Sequence, residues 1–318
     1  MAKKPPTSGK AAASAASIPK KKFRCSVDLG HAREIPHEIA TDVLALEKTI
    51  GKPIWMFVQH GDDTRRWGMI NPLVRDAILH AVRTTVPKGT KIALLIDSPG
   101  GIPQSAFQIA MSLRRHCGGF DAIVPKYAKS AATLLALGAD DIILGEDAEL
   151  GPIDMQVSDP DTEDSRSVLE YVQSLERLEA YTLRFFDDAM TLLLHRTHKK
   201  VGTLLPSTVE LVTNVVRPLF ENVDVVQYTQ MARLLKVMED YASRLMFRKF
   251  GDKADDIAKD ITSQYADHSF VIDREEAERL GLRIAAPNAD RDKWLSALSQ
   301  QVHNNIPSMI GRVEEYHD

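Results

Sequence analysis

The chain is poor in several features that mark specialised proteins. Only Cys25 and Cys117 occur in 318 residues, which excludes a disulfide scaffold and fits a reducing compartment. No apolar run approaches the roughly 18 residues that a membrane-spanning helix needs. The N-terminus mixes lysines with small residues and lacks the continuous apolar stretch of a signal peptide, so a cytoplasmic location is expected. Neither sign of charge dominates: the formal net charge is −4, too mild to argue for a nucleic-acid partner. No P-loop or dinucleotide fingerprint occurs, because Gly100-Gly101 lacks the downstream glycine and lysine. No pyridoxal or nicotinamide signature is present either, so no cofactor is expected.

What remains is an ordinary globular composition, 44% hydrophobic and 26% charged, long enough for one large domain or two smaller ones. Residues 1–22 stand apart. They carry six lysines and no acid among Ala, Ser and Pro, which reads as a disordered basic tail or a weak tether to an anionic surface. From about 36 to 155 apolar strand runs alternate with helical spacing. Strands are expected at Pro53–Val58, Ile92–Ile96, Ile123–Val124 and Ile142–Leu144. Helices are expected at Ile39–Leu46, Leu73–Val82, Ala106–Leu113 and Ala131–Leu137. Apolar strands without polar alternation, separated by helices, predict a mostly parallel sheet covered on both faces. After an acidic loop at Ser158–Ser165 the chain reads as mainly helical: Val168 to about His195, Ser207–Val216, Val226–Phe247 and Arg274–Leu280, the last stopped by Gly281. The expected organisation is a tail over 1–22, an α/β core over 23–157, a helical portion over 158–288 completing the same domain, and a C-terminal helix and tail over 289–318.

Two strand-to-helix junctions carry the chemistry. In the first, Leu94-Leu95-Ile96-Asp97 runs straight into Ser98-Pro99-Gly100-Gly101. Pro99 biases Ser98 toward an extended shape, and the glycines tolerate positive φ and close approach. The helix that follows begins with N–H groups lacking intrahelical partners, which suit an oxyanion. An ordinary Pro-Gly turn is the alternative. In the second, Tyr127-Ala128-Lys129-Ser130 opens onto Ala131-Ala132-Thr133-Leu134. Ser130 reads as a nucleophile or as a helix N-cap; the N–H of Ala131 is a further oxyanion donor.

Together these motifs resemble the Clp/crotonase superfamily, and within it the serine dehydrogenase proteinase family of Clp-fold serine peptidases, related to signal-peptide peptidase A. The resemblance is carried by Leu95–Gly101, by Tyr127–Leu134, by Leu150-Gly151-Pro152-Ile153-Asp154, and by Asp267-His268-Ser269-Phe270 with Glu276-Ala277 and Leu280-Gly281-Leu282. It spans roughly residues 52 to 285. It implies a Clp/crotonase-like α/β fold, with Ser130 as nucleophile and Gly100, Gly101 and Ala131 as the oxyanion hole. It implies a peptide or protein substrate and a homo-oligomer. The Clp proteolytic subunit has a histidine where Asp154 stands here, and its aspartate falls near His268, so the two residue types are exchanged. An Asp154–His268 pair activating Ser130 is one reading; a turn-ending Asp154 and a helix-capping His268 is the other.

Other bases stay open at this point. Signal-peptide peptidase A uses a lysine, for which Lys249, Lys253 and Lys259 are candidates. Lys129 adjoins the serine and is expected to face substrate or solvent. His60, in Gln59-His60-Gly61-Asp62-Asp63, is a minor alternative. His195 and His198 share a helix face, but no third ligand follows, so a solvated helix end is expected and no metal. The function expected is a serine endopeptidase working through an acyl-enzyme. A catalytically silent binding or assembly module, or a crotonase-like enzyme acting on an acyl-coenzyme A, are the alternatives.

Overall fold

The computed structural model describes residues 21–28, 34–60, 67–158, 165–265, 267–302 and 307–316. The expected tail, up to residue 20, and the middle of the expected acidic loop lie outside them. Strand β1 (Lys22–Cys25) and β2 (Glu34–Ile35) precede helix α1 (His37–Ile50). The apolar run Ile-Trp-Met-Phe-Val makes β3 (Ile54–Val58), buried along its whole length. Helix α2 (Pro72–Thr85) starts where Asn71 accepts a hydrogen bond from the Val74 N–H and Pro72 presets the first turn. Then come β4 (Ile92–Asp97), α3 (Pro103–Cys117), β5 (Phe120–Val124), β6 (Tyr127–Ala128), α4 (Ala131–Leu137), β7 (Ile142–Leu144) and β8 (Glu149–Leu150). The short pair β9 (Gln156–Ser158) and β10 (Ser165–Ser167) leads into the helical half. That half holds α5 (Val168–Thr197), α6 (Val201–Phe220), α7 (Val225–Phe250), α8 (Lys253–Ser263), α9 (Arg274–Arg279) and α10 (Ala289–Val302). Strands β11 (Met309–Gly311) and β12 (Val313–Tyr316) follow.

The central sheet runs β11-β3-β4-β5-β7. Strands β3, β4, β5 and β7 are parallel, and β11 adds an antiparallel edge beside β3. Parallel strands must be covered on both faces, and the alternation of side chains delivers two cores. Trp55, Phe57, Leu94, Ile96, Ala122 and Val124 face one way, into a core shared with α2, α3, α4, α7 and α8. Ile54, Met56, Val58, Ala93, Leu95 and Ile123 face the other, against α1 and α10. The expected α/β architecture, with a mostly parallel sheet between helices and a helical second half, is the observed one.

Two departures have physical causes. Helix α6 begins at Val201, six residues before the expected start, and carries Pro206 inside it. A proline invites a helix start after it, but Leu204 is buried, and its packing outweighs the one hydrogen bond lost at Pro206. Residues 309–316, expected as part of a tail, form β11 beside β3 and β12 beside β1.

Candidate active site

The first chemical junction sits at the carboxyl end of central strand β4, where open α/β sheets bind ligands, and the second lies just beyond the carboxyl end of β5, after the short strand β6. Asp97 ends β4, and the Ser98–Gly101 turn follows it directly. Ser98 is stitched to the next junction on both sides: its N–H donates to Tyr127 O (3.1 Å), and its carbonyl accepts from the Lys129 N–H (3.0 Å). On the other side of the turn, Ile70 N–H donates to Gly100 O and Ile102 N–H to Ile70 O, both at 2.7 Å. The turn is thus clamped between residue 70 and the loop that carries Ser130.

Gly100 (φ 105°) and Gly101 (φ 138°) both lie in the region that favours glycine. A side chain at 100 would stand 2.6 Å from Lys129 O and 3.0 Å from both Ala131 N and Ser130 Cβ. At 101 it would strike Ile70 O at 2.3 Å. The sequence requires glycine here because the turn approaches the serine backbone to backbone. The Gly100 N–H is occupied, donating to Ser98 Oγ (3.1 Å), which in turn donates to Gln59 Oε1 (2.9 Å). Ser98 and Gln59 are fully buried, and sequence reasoning assigned neither of them to the site. The N–H groups of Gly101 and Ala131 have no acceptor among the described residues.

Ser130 has φ 50° and ψ −118°. Among the described residues, His198 is the other non-glycine with positive φ, and it occupies the left-handed position that ends α5. Ser130 is different. It precedes α4 without capping it: its side chain accepts no hydrogen bond from the helix. A strained serine at a strand-to-helix turn presents its Oγ away from the backbone, the arrangement of a nucleophile elbow. Thr133 holds the base of this elbow. Its Oγ1 donates to Ala128 O (2.6 Å) and accepts from the Gly151 N–H (3.1 Å), tying α4 to the Leu150–Asp154 segment.

That segment brings the other two expected residues together. Leu150 and Ile272 exchange backbone hydrogen bonds at 2.9 and 3.0 Å, so the chain near 270 runs beside the chain near 150. Asp267 accepts from the Ser269 N–H (2.7 Å) and Oγ (2.5 Å), folding a tight turn around His268. His268 Nδ1 then meets Asp154 Oδ1 in a short contact. Asp154 is buried, and its other oxygen accepts from Ser167 Oγ at 2.6 Å. Ser167 also caps α5, accepting from the Glu170 N–H; its link to Asp154 carried no sequence signal.

Ser130 and His268 line one cavity of about 880 Å³, whose wall is mainly apolar and includes Met69, Ile70, Leu73, Ile102 and Met155. Among the described residues Ser130 Oγ has no hydrogen-bond partner, so the serine and the histidine face the same space without touching. The lysine candidates lie elsewhere. Burial pulls Lys249 down to about 8, yet its Nζ donates to Leu137 O and Ala139 O at the far end of α4. Seven helical residues put that end about 10 Å from Ser130. Lys253 and Lys259 are exposed on α8. Lys129, expected to face substrate or solvent, instead pairs with Glu149 at 2.8 Å. His60 is absent from the cavity wall. Among the described residues no cluster of three or more His, Cys, Asp or Glu is placed to hold a metal.

Two uncharacterized proteins of Methanocaldococcus jannaschii are similar to the chain. One is 28% identical over 271 residues, which is 83% of this chain and 71% of that protein. The other is 30% identical over 210 residues, 66% of this chain and 58% of that protein, so the chain spans little more than half of the second relative. Structures of a membrane-bound stomatin-specific protease, one of them with a substrate peptide, align over 70% of this chain and 77% and 73% of theirs. Their identities are 12% and 13% at a TM-score of 0.39, too distant to argue from. Residues 50–214, more than half the chain, match the profile of the ClpP-like SDH-type serine proteinases, and the chain belongs to that family.

Proposed function

We propose that the chain is a serine endopeptidase that cleaves peptide bonds through an acyl-enzyme on Ser130. The observation that carries this reading is the strained, non-capping Ser130 on the same cavity wall as a histidine already paired with a buried carboxylate. His268 Nε2 takes the Ser130 proton as Oγ attacks the scissile carbonyl, then returns it to the leaving amine; water repeats the cycle to release the acyl group. Asp154 holds the ring through Nδ1, and Ser167 holds Asp154. The N–H groups of Gly101 and Ala131 receive the oxyanion, while Gly100 keeps the gap between turn and serine clear. An extended peptide would lie beside Gly101, its apolar side chains against Met69, Ile102 and Met155. Two buried, unpaired cysteines suit a cytoplasmic enzyme, and the family resemblance supports a homo-oligomer.

A silent binding module is the second reading, favoured by the absence of a Ser130–His268 hydrogen bond. Fluorophosphonate labelling together with peptide turnover separates the two. The expected result is labelling of the wild type, none of Ser130→Ala, and turnover falling at least about 10³-fold in Ser130→Ala and His268→Ala alike, with no further loss in the double variant. Unlabelled wild type with no turnover on any peptide would establish the silent module instead.

A further inference from the structure

We infer that the tip of the α5–α6 hairpin docks on an anionic lipid bilayer. The two helices pack against each other and are joined by three residues, His198–Lys200. Tyr171 donates to Asp224 O, tying the chain just after α6 back to the first turns of α5, so the pair is antiparallel. Helix α5 alone is about 45 Å long. Its junction with α6 is therefore remote from Ser167 and the catalytic end.

Two properties coincide at that junction. From 189 to 209 the sequence contains no aspartate or glutamate, but it contains Arg196, Lys199 and Lys200, flanked by His195 and His198. All five are exposed. The same stretch exposes large apolar side chains, Leu192 at 50%, Val201 at 52%, Leu205 at 41% and Val209 at 46%, the tip end of a row that continues along α6 through Leu211, Val215 and Leu219. The hairpin's own seam takes Met190, Leu204 and Thr208 and leaves these outside it. A basic collar around exposed apolar side chains matches a surface with anionic headgroups over hydrocarbon. A second copy meeting tip to tip would bring like charges together, and a nucleic acid would leave the apolar side chains uncovered. The helix is too polar to cross; the fit is to the interface plane.

The test is co-sedimentation of the full chain, carrying Ser130→Ala to prevent self-cleavage, with vesicles of phosphatidylcholine alone or with 30 mol% phosphatidylglycerol (roughly the anionic content that supports such binding). The basic tail at 1–22 can also bind anionic vesicles, so hairpin variants are compared in a full chain whose Lys3, Lys4, Lys10 and Lys20 are changed to glutamine. Removing the three charges (Arg196→Gln, Lys199→Gln, Lys200→Gln) is expected to weaken binding roughly 100-fold, and Val201→Ser with Leu205→Ser about 10-fold. A Leu205→Trp probe is expected to shift its emission to the blue on anionic vesicles and not on neutral ones. All these positions are exposed, so unchanged thermal unfolding checks that the variants fold. Binding that survives loss of the three charges, or an unshifted tryptophan, would overturn the proposal. So would a vesicle-free increase in mass that disappears with Val201→Ser and Leu205→Ser, since a second copy would then be the occupant.

Discussion

Ser130 shows what the site costs at the scale of one residue. A non-glycine backbone at φ 50° and ψ −118° is strained by about 1–3 kcal/mol. Alanine keeps that strain, and glycine removes it while adding about 0.5–1 kcal/mol of unfolded-state entropy. Relief is the larger effect. Ser130→Gly is therefore expected to be more stable than Ser130→Ala by about 1 kcal/mol and equally inactive, as read from urea midpoints. Asp97, under the glycine turn, makes a pH statement. Burial pushes its carboxyl up to about 7, against the opposing Tyr127 backbone N–H and Lys126. Between about 4 and 7 the folded state then holds a proton that the unfolded state has released. Stability from this group is present below pH 4 and falls as pH rises through 7. Asp97→Asn removes that slope: relative to wild type it gains stability between pH 5 and pH 8, measured by denaturant midpoints at both. Ser130 and the Gly100-Gly101 turn carried local signals in the sequence, a serine before a small-residue helix and a strand ending in Ser-Pro-Gly-Gly, whereas Asp154 and His268 were suggested by the family resemblance. Ser167 and Gln59 were not legible, because a serine or glutamine becomes a supporting partner only when a distant segment folds against it.

At the scale of elements, the turn and the loop work as one unit. Gly101 lies against Ile70 with no room for a methyl group, so Gly101→Ala must displace the backbone that presents the free N–H. The expected cost is about 3 kcal/mol or more of stability, seen as a lowered thermal midpoint, with peptide turnover lost even where the protein remains folded. The pairing of Asp154 with His268 is likewise an element property. It depends on the two-residue bridge between Leu150 and Ile272, which sequence order placed 122 positions apart. The exchange of residue types was readable from the family resemblance; the bridge that brings the two residues together was not. Lys249 gives the opposite lesson. A lowered pKa made it an attractive base, and its place at the wrong end of α4 removes it.

For the whole molecule, the parallel sheet was legible because fully apolar strands leave few alternatives. Its edge was not: Met309-Ile310-Gly311 is too short to announce a strand without β3 beside it. That edge matters for stability. Leu295, Leu298, Val302, Met309 and Ile310 are all buried, and each contributes about 1.5–3 kcal/mol. Their sum, about 7.5–15 kcal/mol, is comparable with the 5–15 kcal/mol that usually holds a protein folded. Ending the chain after residue 288 is expected to abolish cooperative unfolding, checked by calorimetry, although every proposed catalytic residue is retained.

The pairing of β1 with β12 has one more consequence. Lys22 stands opposite Tyr316 in an antiparallel ladder, so their Cα atoms are only about 5 Å apart. A few glycines would close residues 22–316 into a ring of chain, and the ring could be reopened elsewhere as a circular permutant. Opening it between His198 and Lys200 would cut the α5–α6 hairpin at its turn and leave the Ser130, Asp154 and His268 neighbourhood continuous. Such a rewired chain would separate what the Ser130 cavity needs from the role proposed for the hairpin tip.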